Sequence, residues 1–138
     1  MLEDGRGHSV TVDLPTDEEG QNRGPSALEL AVLSLAGCVS TIFALVAHRR
    51  RLRFEEMRVE LEAVRPRGAQ TITSVEGIFH IATSVPEEEV VTALNLTLRT
   101  CPVGVLFEQA GIPVRVRPVV EPPREAAAVG PPALPARV

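Results

Sequence analysis

The sequence predicts an α+β domain, and three observations predict it. Short stretches of alternating polar and apolar residues accompany one long apolar helical run and two shorter helical segments. These stretches do not follow a regular strand–helix–strand repeat, which argues against a doubly wound α/β sheet. The 138 residues, 44% hydrophobic and 23% charged, make one domain with a core large enough to need no metal or disulfide staple.

Residues 8–14 (HSVTVDL) alternate Val10, Val12 and Leu14 with polar neighbours, the pattern of a half-buried strand. Residues 15–25 contain Pro15, Gly20, Asn22, Gly24 and Pro25 and read as a loop. Ser26-Ala27-Leu28-Glu29 fits a capping box, with the Ser26 hydroxyl taking an early N–H and Glu29 reaching back. A helix follows to about Arg51; at 1.5 Å per residue it spans roughly 38 Å. Its end carries Arg49, Arg50, Arg51 and Arg53, which complement the negative end of the helix dipole. In 56–65, Met57, Val59, Leu61 and Ala63 alternate with Arg58, Glu60 and Glu62, a strand. A turn at Pro66-Arg67-Gly68-Ala69 leads to a partner strand over 71–83, with Thr73, Val75, Phe79 and Ile81 on one face. Pro86 and the acids Glu87, Glu88 and Glu89 open a second helix, whose apolar face is Val90, Val91, Leu94 and Leu98. Thr100-Cys101-Pro102 breaks it, and a short helix over 102–110 ends at Gly111. Residues 112–120 make a last strand, with Pro113 and Pro118 marking an edge. The order is β-α-β-β-α-α-β in a single domain, 1–120. The Pro/Ala-rich tail, 121–138, is expected to be disordered.

The segment Ala27–Ala47 contains one charge and is followed by His48 and three arginines, which mimics a membrane span with a basic flank. Glu29, Ser34, Ser40 and Thr41 interrupt it, and some ninety residues of strand and helix pattern follow, so it reads as a buried central helix. Leu35-Ala36-Gly37-Cys38 mimics a lipoprotein cleavage box, but the preceding segment is acidic and the apolar run continues past Cys38. The expectation is a cytoplasmic protein without membrane attachment. A helix apolar nearly all round must be covered on both sides. One small sheet covers one side, and a second subunit is the simplest cover for the other.

Net charge is −4 and there is no Trp or Tyr, which excludes a broad electrostatic grip on nucleic acid and an aromatic platform for single strands. All 14 basic residues are Arg, so Lys Schiff-base chemistry is excluded. His8, His48 and His80 are scattered, and no Cys/His spacing resembles a zinc site. No cofactor or metal is expected.

The remaining chemistry lies in two cysteines. Cys38 sits midway along the long helix on a face with Ala31, Ser34, Leu35, Thr41, Ile42 and Leu45. Such an apolar setting raises a thiol pKa, so activation requires a cation from elsewhere. Cys101, with Pro102 behind it, is the N-cap of the short helix, and a helix N-terminus favours thiolate. Local chemistry therefore makes Cys101 the more activated thiol. His48 reads as a solvated helix end rather than a base, and Arg49–Arg53 as a solvated terminus.

Gly24-Pro25-Ser26-Ala27-Leu28-Glu29-Leu30, then Ala36-Gly37-Cys38, then Cys101-Pro102-Val103 resemble the OsmC/Ohr family over roughly residues 7–120. The resemblance implies an intertwined homodimer with two long central helices packed against antiparallel sheet. It also implies a Cys-based peroxidase that reduces organic hydroperoxides in defence against oxidative stress. Cys38 would be the peroxidatic cysteine and Cys101 the resolving one, with a dithiol reductant reopening their disulfide. The family holds its first cysteine as thiolate with an Arg from an early strand, steadied by a Glu ten residues before that cysteine. Here that position is Leu28, and Glu29, nine before Cys38, points half a turn away. The early strand is shortened, which leaves Arg6 and Arg23 as candidate thiolate-stabilising cations. The pattern is nearer the OsmC-like branch than the hydroperoxide-resistance branch. The alternative reading is a non-catalytic dimer that binds a small lipophilic ligand in its interface, with both cysteines as packing residues.

Overall fold

In the computed structural model, which describes residues 1–124, the chain runs β1 (Leu2–Glu3), β2 (Ser9–Val10), α1 (Ala27–Arg49), β3 (Glu56–Val64), β4 (Ser74–Ala82), α2 (Glu87–Thr100), α3 (Pro102–Gln109) and β5 (Val114–Glu121). The class is α+β, as the sequence predicts. The capping box forms at the start of α1. Glu29 N–H donates to Ser26 Oγ at 3.2 Å, and Ser26 N–H donates to Glu29 Oε1 at 3.1 Å.

Strands β3 and β4 pair antiparallel from Glu56↔Ala82 to Val64↔Ser74. Gly77 lies opposite Leu61, and a Cβ there would collide with the Glu60 carbonyl and the Leu61 side chain. Strand β5 adds to the free side of β4, parallel to it, from Val75↔Val114 to Ala82↔Glu121. The sheet β3–β4–β5 is therefore mixed, which corrects the expected antiparallel sheet. The cause is the connection: α2 and α3 carry the chain back across the sheet, so it enters β5 from the same end as β4. Pro118 does lie on an edge strand, where a missing N–H leaves no gap in a ladder.

Helix α1 packs on β3, α2 and α3. Val59, Leu61, Val75, Phe79 and Ile81 of the sheet join Val32, Leu35, Val39 and Phe43 of α1 and Val90 and Leu94 of α2 in one core. The Phe43 ring lies 4.4 Å from Phe79 and meets Phe54 edge-on at 5.9 Å. Truncating such an aromatic to Ala costs about 3–5 kcal/mol. Thr73, expected on the inner face, is exposed. By length and composition α1 could cross a membrane, with a mean hydropathy of 2.3. Leu35, Ala36, Val39 and Phe43 are nevertheless wholly buried, which makes it a core helix.

The N-terminus departs most from expectation. Of the strand expected over 8–14, only Ser9–Val10 forms, paired with Leu2–Glu3 in an exposed hairpin off the main sheet. The predicted order thus gains a strand at its start. The next residues are held by polar contacts instead. The Asp13 carboxylate accepts the N–H groups of Leu14 (2.8 Å), Arg23 (3.0 Å) and Gln21 (3.2 Å). This folds 13–25 into a strap before α1, while Leu14 remains exposed. At the other end β5 runs to Glu121, one residue past the expected domain limit, and 125–138 of the expected tail lies outside the described residues.

Candidate functional site: a thiol pair between two helices

Cys101 is placed by its neighbour. Pro102 has no N–H for α2 to continue, so Cys101 turns extended (φ −65°, ψ 115°) and α3 begins at Pro102. The axes of α2 and α3 differ by 65°. This bend lays α3 against α1 and brings the buried Cys101 near enough to the half-buried Cys38 for Cys38 to raise its pKa. Both are free thiols.

Cys101 is the N-cap of α3, as expected, and its Sγ accepts the Gly104 N–H at 3.3 Å. The expected activation does not follow. Burial pushes the Cys101 thiol up to about 11, and the adjacent Cys38 adds to the rise. The N–H groups of Gly104 and Val103 pull the other way and lose. Cys101 is wholly buried, and the cost of a thiolate without water exceeds the pull of the helix N-terminus.

Hydroxyls surround Cys38 but serve the helix. Ser34 Oγ donates to the Ala31 carbonyl at 2.7 Å, and Thr41 Oγ1 donates to those of Gly37 (3.0 Å) and Cys38 (3.3 Å). The candidate stabilising residues fall elsewhere. Arg6 pairs with Asp4 at 3.5 Å in the exposed N-terminal hairpin. Arg23 belongs to the Asp13 strap, before the start of α1. From Ala27 to Cys38 the helix rises about 16 Å. The Glu29 carboxylate is engaged in the capping box. His48 is exposed at the far end of α1. Among the described residues no cluster of His, Cys, Asp or Glu is arranged to hold a metal ion.

Gly104 escaped the reading of the sequence. A Cβ there would sit 3.3 Å from the Leu98 carbonyl oxygen and 3.6 Å from Cys101 Sγ. The signal was present, a glycine three residues after the cap in Cys101-Pro102-Val103-Gly104, where its N–H is aimed at the cap atom.

Fold and site together define a class: a two-layer α+β domain in which the middle of a long helix and the N-terminus of a short one present a pair of thiols. The profile of the OsmC-like protein family matches residues 20–117, a span that includes both cysteines, and the chain belongs to that family. Solved structures share the fold. An organic hydroperoxide resistance protein from Elizabethkingia anophelis superposes with a TM-score of 0.69 at 18% identity, over 86% of this chain and 85% of that one. An OsmC-like protein from Mycoplasma pneumoniae gives 0.68 at 14% identity, over 78% and 77%. An organic hydroperoxide resistance protein, OsmC, from Legionella pneumophila gives 0.64 at 16% identity, over 80% and 81%. No curated protein sequence matches the chain.

Proposed function

We propose that the protein is a thiol-dependent peroxidase that reduces organic hydroperoxides in the cytoplasm as part of oxidative-stress defence. The observation that carries this reading is the proximity of Cys38 and Cys101, which 63 positions of sequence separate. Cys38 thiolate attacks the terminal peroxide oxygen, the O–O bond breaks, and the alkoxide leaves and takes a proton as the alcohol. Cys38 becomes a sulfenic acid. Cys101 then attacks the Cys38 sulfur, water departs, and a disulfide forms. A dithiol reductant restores both thiols. Similarity to hydroperoxide resistance proteins supports the substrate class.

The working unit of this proposal is an intertwined homodimer. One stripe of α1 faces away from the core: Ala27, Ser34, Thr41 and His48 are exposed at intervals of seven, and Leu30, Gly37 and Ala44 are half-buried between them. Leu45 beside them is 42% exposed. A stripe of mostly small residues at heptad spacing, whose Ser34 and Thr41 hydroxyls are already bonded within the helix, suits close packing on a second α1. The cation that Cys38 needs is then an arginine brought by the partner, with Arg23 and Arg6 as candidates. Glu29 has at most an indirect part, through the start of α1.

The raised pKa of Cys101 favours the second reading, a dimer that binds a lipophilic ligand and keeps its cysteines as packing. Purified protein and Cys38→Ser mixed with cumene hydroperoxide separate the two. Consumption that depends on Cys38 supports the peroxidase, and equal inertness of both proteins supports the ligand-binding dimer.

A further inference from the structure

We propose that reduction of the Cys38–Cys101 disulfide is directional: the external thiolate attacks Cys38, and Cys101 departs into the N–H groups of Val103 and Gly104, with Gly104 as the positioning residue. The inference rests on the disulfide reading of the pair and adds its order of bond breaking.

Access decides which sulfur is attacked. Thiol–disulfide exchange needs the incoming sulfur behind the one it attacks, in line with the S–S bond. Cys101 has no exposed surface, because α1, α2 and α3 close around it. Cys38 is half-buried and lies at the flank of the α1 stripe rather than within it, so packing of a second α1 on the stripe leaves its side open. An external thiolate can reach Cys38 and not Cys101. Leaving-group chemistry alone opposes this order, since a thiol with a raised pKa leaves slowly. The N–H groups of Gly104 and Val103 reduce that penalty without cancelling it, because charge appears on Cys101 Sγ as the bond breaks and the Gly104 N–H already lies 3.3 Å away, so access sets the order.

The steps balance. A thiolate RS⁻ attacks Cys38, the S–S bond breaks, and the products are RS–S–Cys38 and Cys101 thiolate. Cys101 takes a proton and becomes a thiol. A second thiolate attacks the RS sulfur of the mixed disulfide, giving RSSR and Cys38 thiolate. Acid quenching protonates Cys101 and stops it closing back on Cys38, so the mixed disulfide is trapped. Gly104 is required for geometry. A Cβ there meets Cys101 Cβ at 3.5 Å and Cys101 Sγ at 3.6 Å in ordinary contact but the Leu98 carbonyl at a tight 3.3 Å, so a side chain shifts this turn by a few tenths of an ångström and loosens the amide from the sulfur.

The test oxidises the full chain with diamide, adds glutathione, quenches with acid and alkylates before peptide mass spectrometry. Glutathione is expected on the Cys38 peptide at least about tenfold over the Cys101 peptide, because the half-buried sulfur is accessible and the enclosed one is not. Equal labelling, or glutathione on Cys101, overturns the direction. Gly104→Ala is expected to slow reduction of the disulfide about tenfold while Cys38 in the reduced protein alkylates at the parent rate. Unchanged reduction in a folded Gly104→Ala overturns the positioning role. Adduct position is read on the parent protein, so a poorly folding variant does not hide it. Failure of diamide to remove two thiols per chain overturns the pair reading itself, whereas a disulfide with the adduct on Cys101 overturns only the direction.

Discussion

Cys38 and Cys101 meet because Pro102 stops α2 and turns α3 back onto α1. The contact joins a helix middle to a helix start, so one thiol is partly accessible and the other is enclosed. Mild oxidation is expected to give an intramolecular disulfide. Thiol counting should show two thiols lost per chain with no band of doubled mass on a non-reducing gel. Two thiols still titratable after oxidation would contradict the contact.

Cys101 also ties stability to pH. Its folded pKa, about 11, lies above the ordinary value of 9.0, so over that window the folded state keeps a proton that the unfolded state loses. The contribution is whole below about 9, falls as pH rises toward 11, and is gone above it. Urea midpoints measured from pH 8 to 11 should fall more steeply for the parent than for Cys101→Ala. Parallel profiles would show that burial does not hold the proton.

Gly37 separates dimerisation from folding. Nothing beyond its own helix lies within 4 Å of the place where its Cβ would sit. Gly37→Leu therefore fits the isolated chain and removes a helix-weakening glycine, a gain of up to about 1 kcal/mol. In a close α1–α1 seam it obstructs the approach. Light scattering at micromolar concentration should give a dimer for the parent and a folded monomer for Gly37→Leu. A monomeric parent, or a variant that still dimerises normally, would contradict the α1 seam.

Asp13 organises the strap that carries Arg23. The N–H of Arg23, then that of Leu14, holds its carboxyl below the usual carboxylate range. Its contribution is present above the ordinary pKa of 3.8 and is lost as pH falls through the lowered folded value. Asp13→Ala should speed hydrogen exchange at Gln21 and Arg23 and leave the middle of α1 protected. Unchanged exchange at those two amides would contradict the role.

The α1 start, the 56–64 and 74–82 hairpin and the Cys101 cap were legible because each is set by local chemistry: Ser26 with Glu29, period-two alternation, and Pro102 after Cys101. What was not legible depends on tertiary placement. Alternation at Val10, Val12 and Leu14 reads as a half-buried strand, yet only Ser9 and Val10 pair, and Asp13 holds the next residues as a strap. The direction of β5 depends on how α2 and α3 cross the sheet. The Cys101 pKa runs opposite to the local expectation because burial outweighs the N–H groups of Gly104 and Val103.

Peroxide reduction through Cys38 is the central claim, and single-turnover kinetics tests it most directly. Reduced protein is mixed with cumene hydroperoxide or hydrogen peroxide, and thiols are counted as the peroxide disappears. The account predicts faster loss of the organic peroxide, no reaction for Cys38→Ser, and one turnover ending at sulfenic acid for Cys101→Ser. Cys38→Ser consuming cumene hydroperoxide as fast as the parent would contradict it.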